Sequence, residues 1–266
     1  MTTAQAERKK TVGLFVTCLA DFMRPTVARA ALQLLEGAGF RVVVPAEQAC
    51  CGQPAWNSGF DDRARDIARG VVAAFEGFDY VVLPSGSCAG MIRKHYPEAF
   101  GDDLEYADRA VSLAAKTYEL TSFLVSIAGW GADDVRRRLD SGVGGKAVRA
   151  YYHDSCAGLR ELGIKNEPRA LLSGCDGVTL AEGAEAETCC GFGGLFCIKY
   201  ADISATIADH KIDDIVASKA DTLLGGDMGC LMQLQGRLSR LGHDIDVRHV
   251  AEVLAGETTP AIGKTE

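Results

Sequence analysis

A repeated cysteine pattern constrains this chain more than any other feature of its sequence. Two adjacent cysteines followed by glycine occur at Cys50-Cys51-Gly52 and again at Cys189-Cys190-Gly191. One isolated cysteine precedes each pair and another follows it, so that eight of the ten cysteines belong to the pattern. The first cysteine set is Cys18, Cys50, Cys51 and Cys88, and the second cysteine set is Cys156, Cys189, Cys190 and Cys230.

Corresponding cysteines of the two sets are separated by nearly constant distances along the chain. The offset is 138 residues from Cys18 to Cys156, 139 from Cys51 to Cys190 and 142 from Cys88 to Cys230. Such regular spacing indicates two copies of one structural unit. We therefore predict a first lobe over residues 11–128, a glycine-rich connection over residues 129–145 and a second lobe over residues 146–256.

Short apolar segments alternate with segments of helical periodicity in both halves. The predicted strands are 11–17, 40–44, 80–83, 147–152, 177–180 and 221–224, with 245–250 a strand or extended segment. The predicted helices are 25–37, 61–75, 91–96, 103–128, 166–172, 201–217 and 251–255. This β-α-β order predicts an α/β fold with two duplicated, doubly wound, Rossmann-like lobes and mostly parallel sheets.

Most cysteines of the two sets follow a predicted strand closely. The loops at the carboxyl ends of parallel strands converge on one crevice, so each lobe is expected to gather four thiols around one point. Four thiolates hold either a [4Fe–4S] cluster or a structural zinc ion, and the residue types alone do not distinguish the two. Gly52 and Gly191 would let backbone N–H groups approach the sulfurs.

The remaining cysteine features have alternative interpretations. Cys175 and Cys197 are expected to pack as small apolar side chains, although Cys197 could also be a further ligand. The adjacent cysteine pairs could form a strained disulfide or a redox thiol site. The glycines after Cys190 could bind phosphate, but no strand directly precedes them.

Several charged residues could also take part in chemistry. His153-Asp154 could be a general base with its orienting carboxylate, although a hydrogen-bonded pair at a strand end is the commoner arrangement. Asp21, Arg24 and Arg93 could anchor a carboxylate substrate, or they could be ordinary solvated charges.

The charge of the chain excludes some classes of partner. A formal net charge of −8 disfavours nonspecific binding to nucleic acid or to an anionic membrane surface, which both need a basic footprint. The apolar run 12–20 is too short to span a bilayer and lacks a following cleavage site, so we expect a buried strand and a cytoplasmic protein. Ten cysteines in a cytoplasmic chain indicate metal or redox chemistry and not a disulfide framework.

Four motifs resemble the cysteine-rich (CCG) domain family of iron–sulfur proteins, and in particular its lactate-utilisation members, over about residues 12–255. They are Pro84-Ser85-Gly86-Ser87-Cys88, Tyr152-His153-Asp154-Ser155-Cys156, Cys189-Cys190-Gly191-Phe192-Gly193-Gly194 and Gly226-Asp227-Met228-Gly229-Cys230-Leu231-Met232. The resemblance implies an iron–sulfur electron-transfer subunit of a multi-protein system that oxidises L-lactate to pyruvate, with the other subunits as its partners. It also implies that the eight cysteines bind one or two clusters of [4Fe–4S] type, or zinc in one lobe.

The sequence departs from the fullest family motif, which ends in C-x-x-C. Met91 and Gln233 occupy the positions three residues after Cys88 and Cys230. Four ligands in each lobe favour a cubane cluster over the five-cysteine noncubane cluster, and they weaken the case for a heterodisulfide-reductase-like thiol redox protein. A zinc-stabilised docking scaffold is the other alternative. Because no flavin or nicotinamide fingerprint is evident, another subunit or cofactor would have to accept the electrons of lactate oxidation.

Overall fold

Two parallel four-stranded sheets of identical topology form the framework of the chain. The computed structural model describes residues 9–138 and 147–264. The first sheet contains β1 (Thr11–Leu14), β2 (Arg41–Val43), β3 (Tyr80–Leu83) and β4 (Thr117–Glu119), and the second contains β5 (Val148–His153), β6 (Val178–Leu180), β7 (Thr222–Gly225) and β8 (Asp246–His249). Their strand orders are β2-β1-β3-β4 and β6-β5-β7-β8, and every pairing is parallel. The predicted duplicated α/β fold is confirmed.

Helices connect the strands in both halves. In the first half they are α1 (Cys18–Met23), α2 (Thr26–Gly37), α3 (Gln53–Trp56), α4 (Asp61–Phe75), α5 (Gly86–Gly90), a π-helical continuation (Met91–His95), α6 (Tyr96–Ala99), α7 (Ala107–Ala115), α8 (Leu120–Ser126) and α9 (Ala132–Arg136). In the second half they are α10 (Cys156–Leu162), α11 (Asn166–Leu172), α12 (Phe196–Lys199), α13 (Ala201–Ala217), α14 (Met228–Leu241) and α15 (Val250–Leu254). Among the described residues, no helix combines the length and the apolar character needed to cross a membrane.

The strand order places the isolated cysteines beyond the carboxyl ends of the two central strands of each sheet. In the first sheet the chain order reverses between the central strands β1 and β3, and in the second between β5 and β7. Ligands of doubly wound folds bind at such reversal points, beyond the carboxyl ends of the strands. Cys18 and Cys88 follow β1 and β3, and Cys156 and Cys230 follow β5 and β7.

The single long helix predicted over residues 103–128 is wrong. The segment contains α7, then the edge strand β4, then α8. Thr117, Tyr118 and Glu119 pair with β3 in parallel register, and the Glu119 carboxylate then accepts a hydrogen bond from Ser122 N at 3.0 Å to cap α8. Pairing with a buried neighbouring strand outweighs the helical preference of the surrounding residues.

Two cysteines lie in helices that begin soon after the central strands. Cys88 and Cys230 are in the first turns of α5 and α14, which follow β3 and β7. The helical segment predicted to end at residue 96 continues into α6, because Pro97 occupies the first turn of that helix, where proline has no N–H to lose.

The connection predicted over residues 129–145 is only partly within the described residues. Residues 139–146 lie outside them, and α9 occupies part of the remainder. Arg138 nevertheless lies over the buried Trp130 ring, with its guanidinium carbon 4.6 Å from the ring centroid. The exact lobe boundaries remain a prediction.

One buried apolar cluster extends through both halves and joins them. It includes Val12 and Leu35 from the first half and Leu223 and Val250 from the second, all fully buried. A second cluster, which includes Phe15 and Phe75, fills the other side of the first sheet. The halves therefore share a core and do not depend on polar contacts alone to stay together.

A close contact between one helix of each half fixes the position of the two halves relative to each other. Where α5 passes α10, an added Cβ on Gly86 would lie 2.9 Å from Gly158 Cα and 2.9 Å from Ser155 Oγ. Glycine at position 86 thus allows backbone-to-backbone contact between the halves.

Replacing Gly86 by alanine should destabilise the fold because the new methyl group has no room between the two helices. We expect a loss of about 1–3 kcal/mol in the free energy of unfolding, the usual cost of overpacking. Gly70→Ala is the matched control, since Gly70 lies in α4 with nothing within 4 Å of its added Cβ. That control should stabilise by about 0.5–1 kcal/mol. Urea unfolding measures both, and equal effects of the two variants would contradict the prediction.

Candidate metal centre

Both cysteine sets open onto a single cavity between the halves. The cavity has a volume of about 380 Å³, and all eight cysteines of the repeated pattern line it. Ser87, His95, Glu161 and Asp227 contribute polar groups to its wall, and Phe192 and Met228 contribute apolar ones. The cysteine spacing predicts a four-thiol site in each lobe, and in the structure the two sets line the same cavity.

The first cysteine set combines an exposed thiol with buried ones. Cys18 is the first residue of α1 and is exposed, whereas Cys51 and Cys88 are buried. The sulfurs of Cys51 and Cys88 are 3.2 Å apart, and those of Cys18 and Cys50 are 4.0 Å apart. The loop before α3 and the amino ends of α1 and α5 therefore gather the four thiols.

The second cysteine set repeats this arrangement on the second sheet. Cys156 is the first residue of α10, the adjacent cysteines lie in the loop before α12, and Cys230 lies in α14. Cys190 and Cys230 are buried. Their sulfurs and a ring nitrogen of His153 all lie within 4.8 Å of one another.

Each adjacent cysteine pair is followed by a glycine in the left-handed region. Gly52 has φ +84° and Gly191 has φ +81°, a conformation that other residues rarely adopt. Their N–H groups donate to Cys50 Sγ at 3.4 Å and to Cys189 Sγ at 3.3 Å. These donors match the expectation of backbone N–H groups aimed at sulfur, which partly compensate the negative charge of thiolates.

The positions of the missing fifth cysteines have structural roles. Met91 is fully buried in the cluster on the far side of the first sheet. Gln233 Nε2 donates to Ser204 Oγ at 3.0 Å, and Ser204 Oγ donates to the Gly191 carbonyl at 2.8 Å. The residue that replaces cysteine in the second half therefore supports the cysteine loop through one intermediate hydroxyl.

Asp227 connects the two sites. Its carboxylate accepts hydrogen bonds from Ser87 N at 2.9 Å and Ser85 Oγ at 3.2 Å in the first half, and from Gly229 N at 3.2 Å in α14. Ser85 Oγ in turn accepts from Cys88 N at 3.2 Å. One buried side chain thus holds the helix starts that carry Cys88 and Cys230.

Lys211 is a supporting residue that the sequence analysis missed. Its fully buried ammonium donates to the carbonyls of Glu185 and Ala186, each at 2.8 Å, just before the second cysteine pair. Burial lowers the pKa of Lys211 to about 8. The available signal was its position beside Ala208 and Ile212 on the buried face of α13, where a lysine needs a specific partner.

Neighbouring thiols of each set have pKa values shifted in opposite directions. A hydrogen bond from Cys18 lowers the pKa of Cys50, whereas that hydrogen bond and burial raise the pKa of Cys18. Cys156 and Cys189 show the same opposition. Since four thiolates in one place repel each other, a bound metal is the simplest means of stabilising them. The donor set therefore fits a zinc ion or an iron–sulfur cluster.

His153 and Asp154 do not hydrogen-bond to each other, so the predicted general base with its orienting carboxylate is not formed, whereas Asp154 has a structural role. Asp154 instead forms a bidentate salt bridge with Arg169, both contacts at 2.8 Å. The His153 ring is buried, and neither of its nitrogens has a hydrogen-bond partner among the described residues. Burial lowers the pKa of His153 to about 3.

The other candidates from the sequence lie away from the cavity. Arg24 pairs with the buried Glu252 at 2.7 Å, and the Arg93 guanidinium carbon lies 5.4 Å from the centroid of the Tyr118 ring. Neither arginine, nor Asp21, is among the described residues that line the cavity. Cys175 is buried, as expected.

Cys197 is half-buried, and its thiol donates to the Gly194 carbonyl at 3.1 Å. It is not among the cavity-lining residues of the described chain.

Metal binding should release protons from the thiols whose pKa is raised. Cys51 and Cys190 have pKa values well above the ordinary value, first because of hydrogen bonds with neighbouring thiols and also because of burial. These groups are protonated at neutral pH and must lose their protons to bind metal, so affinity should increase as pH rises, by about tenfold per pH unit for each proton released. Calorimetric titration of the metal-free protein with Zn²⁺ in buffers of different ionisation heat measures this release. An affinity independent of pH would contradict it.

Comparisons with known proteins match the chain both half by half and over nearly its whole length. A family model described as the cysteine-rich domain, CCG, matches residues 12–93 and 150–235. "Lactate utilization protein A 2" of Bacillus cereus is 45% identical over 244 residues, covering 92% of this chain and 97% of that protein. "Lactate utilization protein A" of an Exiguobacterium species is 46% identical over 246 residues, covering 91% and 96%. A glutamate racemase structure from Bacillus anthracis covers 92% of this chain and 79% of its own at 13% identity, with a TM-score of 0.35, too low to indicate a shared fold.

Proposed function

Because the chain belongs to the cysteine-rich (CCG) domain family, we propose that it is an iron–sulfur electron-transfer subunit of a multi-protein system that oxidises L-lactate to pyruvate. The observation that carries this proposal is the convergence of eight thiols, in two sets, on one cavity. The eight proposed ligands are Cys18, Cys50, Cys51, Cys88, Cys156, Cys189, Cys190 and Cys230.

The chemistry of the cavity supports redox cofactors better than substrate binding. Oxidation of lactate to pyruvate releases two electrons and two protons, and a bound iron–sulfur cluster accepts and passes on electrons singly. Arg24 is engaged by Glu252, and Arg93 lies against Tyr118, so neither offers its guanidinium to a carboxylate in the cavity. The proposed role is therefore to carry the electrons, while a partner subunit binds lactate.

The proposed assignment to lactate oxidation rests on the relatives. Proteins named "Lactate utilization protein A" match more than nine-tenths of this chain, at 45% and 46% identity. Since no flavin or nicotinamide fingerprint is evident in the sequence, the proposal includes another subunit or cofactor that accepts the electrons from lactate.

A zinc-stabilised docking subunit is a second candidate. The observation that favours it is the mixed group of His153, Cys190 and Cys230, whose ligand atoms are close enough to meet on a single ion. Zinc binds such nitrogen and sulfur ligands in closed, structural sites. In that case the protein would organise its partners without carrying electrons.

Anaerobic purification followed by iron and sulfide analysis tests the main proposal. We expect stoichiometric iron and acid-labile sulfide after cluster reconstitution, visible absorption and an electron paramagnetic resonance signal after reduction. Colourless protein that contains zinc and no iron would instead establish the docking candidate. Protein that takes up neither metal would contradict both candidates.

Single serine substitutions should separate the contributions of the two sets. Cys51→Ser is expected to abolish the metal of the first set and Cys190→Ser that of the second, because each removes a buried ligand. Cys197→Ser is the matched control, since serine can still donate to the Gly194 carbonyl. It should retain the full metal content. Equal metal loss in Cys197→Ser would show that the proposed ligand set is incorrect.

A further inference from the structure

His153 is the least satisfied buried polar side chain near the cysteines. It lies at the carboxyl end of β5, its residue is 1% exposed, and both ring nitrogens lack a hydrogen-bond partner within the described part of the chain. A neutral imidazole has one donor and one acceptor, and burying either without a partner costs free energy. Such a side chain is expected to have a ligand.

The position of the ring relative to the second cysteine set identifies the kind of ligand. A ring nitrogen of His153 and the sulfurs of Cys190 and Cys230 are mutually within 4.8 Å. In a tetrahedral site with ordinary metal–ligand bonds, sulfur atoms lie about 3.8 Å from each other and about 3.5 Å from a nitrogen ligand. Small side-chain adjustments would therefore bring these three atoms onto one metal.

The first half has no counterpart to this imidazole. The 138-residue offset that relates Cys18 to Cys156 also relates Phe15 to His153, and the strand pairing agrees. Leu14 pairs with Val82 as Tyr152 pairs with Leu224. Phe15 is fully buried and stacks on Phe75 at 5.2 Å between ring centroids. At the same place in the fold, one half buries an apolar ring and the other a potential ligand.

The strand that pairs with β5 also differs from its counterpart in the first half at this level. Gly225 is the direct register partner of His153, and the 142-residue offset assigns Leu83 to the matching place in the first half. The first half thus has two large apolar side chains where the second has an imidazole beside a glycine. Gly225 has no side chain that could supply the imidazole with a polar partner.

We propose that His153 supplies a nitrogen ligand to the metal centre of the second cysteine set, beside the Cys190 and Cys230 thiolates. The first cysteine set then binds through thiolates alone, and the two centres differ in ligand chemistry. The proposal rests on the proposed function only in requiring that the second set binds a metal. On a zinc ion, the His153 nitrogen and the Cys190 and Cys230 sulfurs would be ligands of the same metal. A [4Fe–4S] cluster takes four protein ligands, so there the nitrogen would replace one of the four thiolates of the second set.

The direct test detects nitrogen on the metal in the unmodified full-length chain. For iron, the reconstituted and reduced protein is prepared with natural or ¹⁵N-labelled histidine and measured by pulsed electron paramagnetic resonance. We expect a directly bound nitrogen whose coupling changes with the label. For zinc, X-ray absorption should show a nitrogen at about 2.0 Å beside sulfurs at about 2.3 Å.

His153→Phe reproduces the residue of the first half and should remove the nitrogen signal. Metal affinity of the second set should fall by at least the roughly 10- to 100-fold that follows loss of an outer-shell partner. His210→Phe is the control, since His210 is an exposed histidine of α13, and it should retain the signal. Because the wild-type spectrum is decisive by itself, misfolding of His153→Phe would not obscure the result.

Several outcomes would overturn the inference. An all-sulfur shell in the wild-type protein would do so, as would a nitrogen coupling of the weak size produced by a hydrogen bond alone. Retention of the nitrogen signal in His153→Phe would also do so. Failure of the iron–sulfur proposal is separate, because zinc with a nitrogen ligand would support His153 while refuting an iron centre in that half.

Discussion

The arrangement of the two cysteine sets depends on the Asp227 carboxylate, which hydrogen-bonds to residues of both halves. Asp227 accepts hydrogen bonds from Ser85 and Ser87 across the interface and from Gly229 in its own helix. Buried carboxylates are costly unless hydrogen-bonded, so these donors fix the helix starts that carry Cys88 and Cys230. The single shared cavity follows from this connection. Two independent domains on a flexible linker would not keep their thiols facing each other.

The duplicated halves keep one topology while differing at the positions nearest the thiols. Ser85 and Asp227 are related by the 142-residue offset and hydrogen-bond to each other across the interface. Phe15 and His153 are related in the same way by the 138-residue offset. Strand order and glycine turns are common to both copies, because the backbone must still bring four thiols to one sheet edge. Side chains beside that edge are free to diverge, so the two centres need not have equal properties.

The central strands and the two matching cysteine sites can be predicted from the sequence. Apolar runs such as Tyr80–Leu83 predict the central strands, and the constant cysteine spacing predicts two matching sites. The edge strand β4 is not readable, because its three residues become a strand only through pairing with β3. The position of Lys211 on the buried face of α13 indicates that it needs a partner, but the sequence does not identify its acceptors at Glu185 and Ala186. The common cavity depends on contacts between residues about as far apart as the repeat itself, such as Ser87 with Asp227.

The contact between Gly86 and Gly158 has a consequence for how this site can change over evolutionary time. Because backbone meets backbone there, with no room for a side chain between, this contact does not involve the side chains of His95 or Phe192 in the cavity wall. Exchange of these two residues should therefore leave the contact in place, whereas Asp227, which hydrogen-bonds to both halves, has to be kept. A scaffold of this kind separates the geometry of the two thiol sets from the selectivity of the space around them, so that the second can change while the first is kept.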